Sequence, residues 1–175
     1  HNDSFTHNVV HQLSLYEDVE CDNYNNLNKA KLRKAKIVVL SPGPGNPRNY
    51  PSTSKLYNKL KGNKKIIGIC LGFQQILFNE GAQITEQNKI YHGYQSLIKV
   101  NNKSRLFKSS SQFKVGRYHS LKLKEPFFAK NFDITMRCKK SNVAMAFENN
   151  IDKIYGFQFH PCLLYTSPSP RDKHR

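Results

Sequence analysis

Lys65-Ile66-Ile67-Gly68-Ile69-Cys70-Leu71-Gly72-Phe73-Gln74-Gln75 is the stretch that decides the fold. An apolar, β-branched run halts at a cysteine, and helical spacing begins directly after it. This is the strand–turn–helix geometry of a nucleophile elbow, with Cys where other enzymes place Ser. Gly68 and Gly72 flank the turn, where the lack of a Cβ allows a sharp change of direction. A cysteine beside the first turn of a helix also feels a dipole that favours thiolate. Read by itself, a cysteine at a strand end is equally a buried structural residue. The neighbouring segments decide between the two.

Upstream, Ile37-Val38-Val39-Leu40 reads as a buried strand ending at Ser41. Pro42-Gly43-Pro44-Gly45-Asn46-Pro47 follows and can be neither helix nor central strand. Phe5, Val9, Val10, Leu13 and Tyr16 recur at helical spacing over Ser4 to Tyr16, with Ser4 as a cap. Val19 to Cys21 is expected as a short strand, Lys29 to Ala35 as a short basic helix and Ser52 to Leu60 as another helix. A helix is expected over Leu71 to Asn79, closed by Gly81. Strand–helix alternation of this kind argues for a parallel sheet with helices on both faces. From about Gln83 the segments become shorter and alternate: Ser96 to Val100, Gln112 to Tyr118 and Phe132 to Cys138. Val143 to Glu148 and Lys153 to Phe159 flank a four-residue hairpin loop. No internal repeat is present.

The 175 residues are enough for one domain with a sizeable core. No apolar run approaches the roughly 20 residues of a membrane span, and no secretory leader is visible. The four cysteines show no C-x-x-C spacing, so a disulfide or zinc framework is unsupported and a reducing cytoplasm is expected. The net charge is +16, yet residues 1–22 hold five acids and no Lys or Arg. The basic clusters lack interleaved aromatics or a nucleic-acid motif, so they read as a solvated lysine surface. Neither a nucleic-acid nor a membrane partner is expected.

Three segments can meet at the carboxyl ends of a parallel sheet, where open α/β folds place their sites. They are the Cys70 elbow, the Gly43-Pro44-Gly45 loop and Gly156-Phe157-Gln158-Phe159-His160-Pro161. Cys70 and His160 on different strand ends could form a nucleophile–base pair. The glycine loop lets backbone N–H groups approach a substrate closely, as an oxyanion hole requires.

Ser41-Pro42-Gly43-Pro44-Gly45, Gly68-Ile69-Cys70-Leu71-Gly72-Phe73-Gln74 and Phe157-Gln158-Phe159-His160-Pro161 resemble the three signatures of class I glutamine amidotransferases. Asn2-Asp3-Ser4-Phe5-Thr6 and Arg117-Tyr118-His119-Ser120-Leu121 narrow the resemblance to the amidotransferase subunits (component II) of anthranilate synthase and aminodeoxychorismate synthase. It covers roughly residues 2–161. It implies a three-layer, flavodoxin-like α/β fold, a mostly parallel sheet with helices on both faces, and no cofactor or metal. It further implies that Cys70 attacks the amide carbon of glutamine and forms a γ-glutamyl thioester. His160 would move the proton from the thiol to the departing ammonia. The N–H of Leu71 and one from the Gly43, Pro44 and Gly45 loop would hold the oxyanion, and Gln74, Ser120 and Leu121 would contact the substrate. The ammonia would pass to a larger, chorismate-binding synthase subunit. That partner, not this chain, would select between the tryptophan and folate pathways.

The sequence departs from the family at one decisive place. The family pattern continues from His-Pro to a Glu that orients the histidine; here that position is Cys162. Composition breaks at the same residue: 162–175 reads as a polar, proline-broken, non-native tail after an amidotransferase domain over 1–161. The first strand and the carboxyl-terminal end of the family pattern are expected to be missing. Two other readings stay open, a different cysteine hydrolase such as a γ-glutamyl peptidase, and a catalytically impaired pseudo-amidotransferase that binds a partner.

Overall fold

The computed structural model describes residues 4–87 and 93–160. The Cys162 position and the 162–175 tail lie outside the described residues, as do Asn2 and Asp3. Three strands lie in parallel: β1 (Ile37–Leu40), β2 (Lys65–Ile69) and β9 (Ile154–Phe157), in the order β1-β2-β9. The sheet continues antiparallel through β8 (Ala144–Asn149), β7 (Asp133–Cys138), β4 (Tyr94–Val100) and β5 (Gln112–Arg117) to seven strands. A separate two-stranded sheet joins β3 (Ile84–Glu86) to β6 (Leu121–Leu123). Neither β3 nor β6 is marked in the sequence, because a three-residue strand shows too little alternation to be read.

The parallel strands sort their side chains by the two-residue period of a pleated strand. Leu40, Ile66 and Ile154 face one way. They pack against Tyr57 and Leu60 of α3 (Pro51–Leu60) and Phe73, Ile76 and Leu77 of α4 (Leu71–Asn79). Val39, Ile67 and Ile69 face the other way and meet Val9 and Leu13 of α1 (Ser4–Ser14). Helices thus cover both faces, giving the three layers of an α/β fold.

The short basic helix α2 (Lys29–Lys34) is only six residues long, too short to stand alone in water. It is held at both ends. The Asn28 side chain accepts from the N–H groups of Ala30 and Lys31, and Lys64 Nζ donates to the carbonyls of Arg33 and Ala35, both at 2.6 Å. The strand expected over Val19 to Cys21 is not formed; this segment is irregular and pairs with no strand. Side chains hold it instead. Glu20 pairs with Lys31 at 2.9 Å, and Asp22 accepts from the Asn28 N–H at 3.0 Å. The polar bonds this segment makes are local ones, and none of them belongs to a sheet.

Candidate active site

α4 starts one residue after β2 ends, and Cys70 alone makes the turn. Its backbone is at φ 53, ψ −103, a region that a residue with a Cβ rarely adopts. Such a conformation costs on the order of 1–3 kcal/mol and persists only where the surroundings enforce it. Here they do so from both sides. The Cys70 N–H donates to the Phe157 carbonyl at 2.8 Å, and the Gln74 N–H donates to the Cys70 carbonyl at 3.2 Å. Gly68 and Gly72 permit the tight approach behind the turn. A Cβ on Gly72 would lie 2.0 Å from the Leu40 carbonyl oxygen, and one on Gly68 would lie 2.5 Å from the Gly72 oxygen. The helix thus seats its first turn directly on the ends of β1 and β2, as the elbow reading of the sequence requires.

The strand register brings the other segments to this turn. Ile69 is paired with Phe157 across β2 and β9, so Cys70 comes level with Gln158 and His160 follows two residues further on. Cys70 and His160 are both buried. Phe5 of α1 sets its ring edge-on to the His160 imidazole at 4.7 Å between centroids, and Tyr118 does the same at 5.7 Å. Leu71 is buried in the first turn of α4. The Gly43-Pro44-Gly45 loop leaves the end of β1, next to the close contact of Leu40 with Gly72. Tyr50 fixes this loop by donating its hydroxyl to the Pro44 carbonyl at 2.8 Å. Gly45, at φ 80, takes a backbone conformation natural to glycine.

Gln74 is 3% exposed. Its amide nitrogen donates to Gln158 Oε1 at 2.9 Å and to the Leu121 carbonyl at 3.4 Å. Both amide hydrogens are therefore committed. Ser120 is exposed at the entrance to β6, and its carbonyl accepts from the Gln87 N–H at 2.8 Å.

Beneath Ser120 and Leu121 lies a polar cluster that sequence reasoning did not assign. Arg117 is fully buried. Its Nε donates to His119 Nε2 at 3.1 Å, and its terminal nitrogens donate to Gln87 Oε1 at 2.8 Å and toward Cys138 Sγ at 3.6 Å. A guanidinium only donates, so His119 Nε2 must accept and the ring proton sits on Nδ1. Nδ1 then donates to the Leu121 carbonyl at 2.7 Å. The Gln87 amide nitrogen adds bonds to the carbonyls of His119 and Leu121. Burial pushes the His119 pKa down to about 4. The bond to Leu121 opposes this, while the charge of Arg117 and His160 reinforces it. Burial pushes the Cys138 thiol up, but bonds from the Ser141 hydroxyl and from the N–H groups of Ser141 and Lys140, with the Arg117 charge, leave it below its ordinary value. Arg117 and His119 stood out in the sequence only as part of the Arg117-Tyr118-His119-Ser120-Leu121 segment, and Gln87 carried no signal. Which of them meet depends on the pairing of β3 with β6, which the sequence hides.

Among the described residues, no group of three His, Cys, Asp or Glu side chains could hold a metal ion. No helix among them is long and apolar enough to cross a membrane.

Solved structures share this architecture. A putative GMP synthase protein from Thermoplasma acidophilum superposes with a TM-score of 0.76 at 22% identity, over 91% of this chain and 80% of its own. A glutamine amidotransferase from Thermotoga maritima superposes at 0.64 with 19% identity, over 78% of this chain and 60% of its own. Sequence similarity is closer. The anthranilate synthase component 2 of Lactococcus lactis is 34% identical over 165 residues, 91% of this chain and 81% of the relative. That of Helicobacter pylori strain 26695 is 34% identical over 172 residues, covering 94% and 86%. The family model for class-I glutamine amidotransferases matches residues 1–170, a span that takes in the elbow, the glycine loop and the segment from β9 to His160. The chain belongs to the class-I glutamine amidotransferase family.

Proposed function

We propose that this chain is the glutamine-hydrolysing subunit of a chorismate-aminating synthase, most simply anthranilate synthase, whose component 2 relatives it resembles. The single observation that supports this reading is the strained Cys70 turn, set level with Gln158, two residues before His160. Strain at a nucleophile elbow presents the sulfur above the sheet edge. Cys70 attacks the amide carbon of glutamine, and the N–H of Leu71 with the Gly43–Gly45 loop receives the oxyanion. His160 takes the thiol proton and returns it to the departing ammonia, and water then cleaves the thioester to glutamate. Ser120, Leu121 and Gln74 hold the glutamine. Ammonia passes to the larger, chorismate-binding subunit.

One sequence observation favours a second reading. Cys162 stands where the family has a Glu, and a neutral thiol offers His160 no charged acceptor. Loss of the orienting carboxylate in a comparable triad costs about 10⁴ in rate. The chain is then a partner-binding subunit with impaired hydrolysis. Glutamate release in the presence of the synthase partner separates the readings. Three versions are compared: the chain itself, Cys162→Glu, and a chain whose residues 162–175 are exchanged for the matching segment of an active family member. Activity should rise in that order. If the unaltered chain equals the exchanged one, another residue orients His160. If none releases glutamate, the glutaminase reading fails.

A further inference from the structure

A chain of amide hydrogen bonds runs from the substrate-side loop to the reactive sulfur. The Leu121 carbonyl can only accept. It therefore draws the amide nitrogen of Gln74 toward itself, at 3.4 Å. The same nitrogen lies 2.9 Å from Gln158, which must present its oxygen there. Only the Gln158 nitrogen is left to face Cys70 Sγ, and it does so at 3.8 Å, within reach of a large sulfur acceptor. Gln158 is fully buried, and Gln74 nearly so. Turning Gln74 round would set its oxygen against those of Leu121 and Gln158, and turning Gln158 round would set its N–H donors against that of Gln74, so each buried amide is held in one orientation.

We propose that Gln158 is a catalytic residue of this site, holding an N–H donor on Cys70 Sγ so that the thiolate is favoured. Gln74 and the Leu121 carbonyl are positioning groups that stop the amide from turning over. The proposal rests on the glutaminase reading for its reaction, but the donor contact can be tested without glutamine. A hydrogen bond to the charged form of a group favours that form, and bonds to charged groups are among the stronger ones. The carbonyl that starts the relay is itself held by His119 and Gln87, and Arg117 holds both of those. Any group that displaces Leu121 therefore loosens the donor at the sulfur.

The test is the rate of Cys70 alkylation by iodoacetamide across pH, resolved by peptide mass spectrometry in the full chain, with exposed Cys21 as internal control. In Gln158→Met the donor is gone and the length is kept. Cys70 alkylation at pH 7 should slow about tenfold, its pH profile should move to higher pH, and Cys21 should be unchanged. Gln74→Met leaves the Gln158 amide free to turn and should slow Cys70 less, about threefold. If Gln158→Met loses its circular-dichroism spectrum, Gln158→Glu carries the test. It still accepts from Gln74 but offers the sulfur an acceptor, so the same slowing is expected. A Cys70 profile that superposes on that of the unaltered chain in the folded variants overturns the proposal. Glutamate release by the unaltered chain together with that result would overturn the relay alone. A displaced profile, when none of the three versions compared above releases glutamate with the partner, would uphold the donor contact and overturn the glutaminase reading.

Discussion

Cys70 carries a conformational cost that glycine would not, and this gives the residue a signature in stability. At φ 53 a Cβ is strained whatever the side chain. Cys70→Ala keeps the strain and Cys70→Gly removes it, so the glycine variant should be the more stable by about 1 kcal/mol in urea unfolding, although glycine usually destabilises. Equal stabilities would mean that the elbow relaxes once the sulfur is gone. His119 supplies a second test at this scale. Its folded pKa, about 4, lies below its ordinary 6.5, so the unfolded chain binds the extra proton first as pH falls. The stability that the neutral ring contributes is complete above about 6.5 and is lost progressively down to about 4. The loss is on the order of 3 kcal/mol. His119→Gln can still donate to Leu121 and accept from Arg117, and it does not titrate. Its unfolding free energy should fall less steeply between pH 6.5 and 4 than that of the unaltered chain, by that amount. Parallel slopes would show that His119 is not held neutral.

The elbow depends on two elements meeting without a side chain between them. Gly72→Ala would drive a Cβ into the Leu40 backbone at 2.0 Å, and backbone cannot step aside as a side-chain tip can. The variant should lose at least about 3 kcal/mol, or fail to fold. Gly62→Ala is the control, because nothing lies within 4 Å of a Cβ there and only its φ of 78 is unfavourable; it should cost about 1 kcal/mol. Comparable urea midpoints for the two would contradict the close helix–strand seat. The same elements show what the sequence made legible. The helix over Leu71 to Asn79 and the strands into Ser41 and Cys70 were readable because apolar runs, glycines and prolines mark their ends. Val19 to Cys21 misled because three residues, one of them β-branched, are too few to show whether a strand will pair. The pairing of β3 with β6 escaped notice because it joins segments far apart in the chain, Ile84 to Leu123 and Glu86 to Leu121. With it escaped the packing of Gln87, Arg117 and His119 beneath the Leu121 carbonyl. Gln158 lay in plain view inside a recognised motif, but its role depends on the orientation of Gln74, which only the folded contacts define.

At the scale of the whole molecule, one cluster of lysines and the candidate site lie at opposite ends of the parallel strands. Lys34, Lys36, Lys64 and Lys65 gather where β1 and β2 begin, while Cys70 and His160 stand where β2 and β9 end. The acidic amino-terminal segment folds back on the basic helix through Glu20 and Lys31, and both side chains are well exposed, so the pair contributes little stability. This lysine cluster thus lies at the amino edge of the parallel strands, and the proposed chemistry belongs to the carboxyl edge. The most direct measurement of that claim is covalent labelling of the full chain with a diazo-ketone analogue of glutamine, followed by peptide mapping. A single adduct on Cys70 that excess glutamine suppresses is the expected result. An adduct on Cys21 or Cys138, or a Cys70 adduct that glutamine does not suppress, would contradict it.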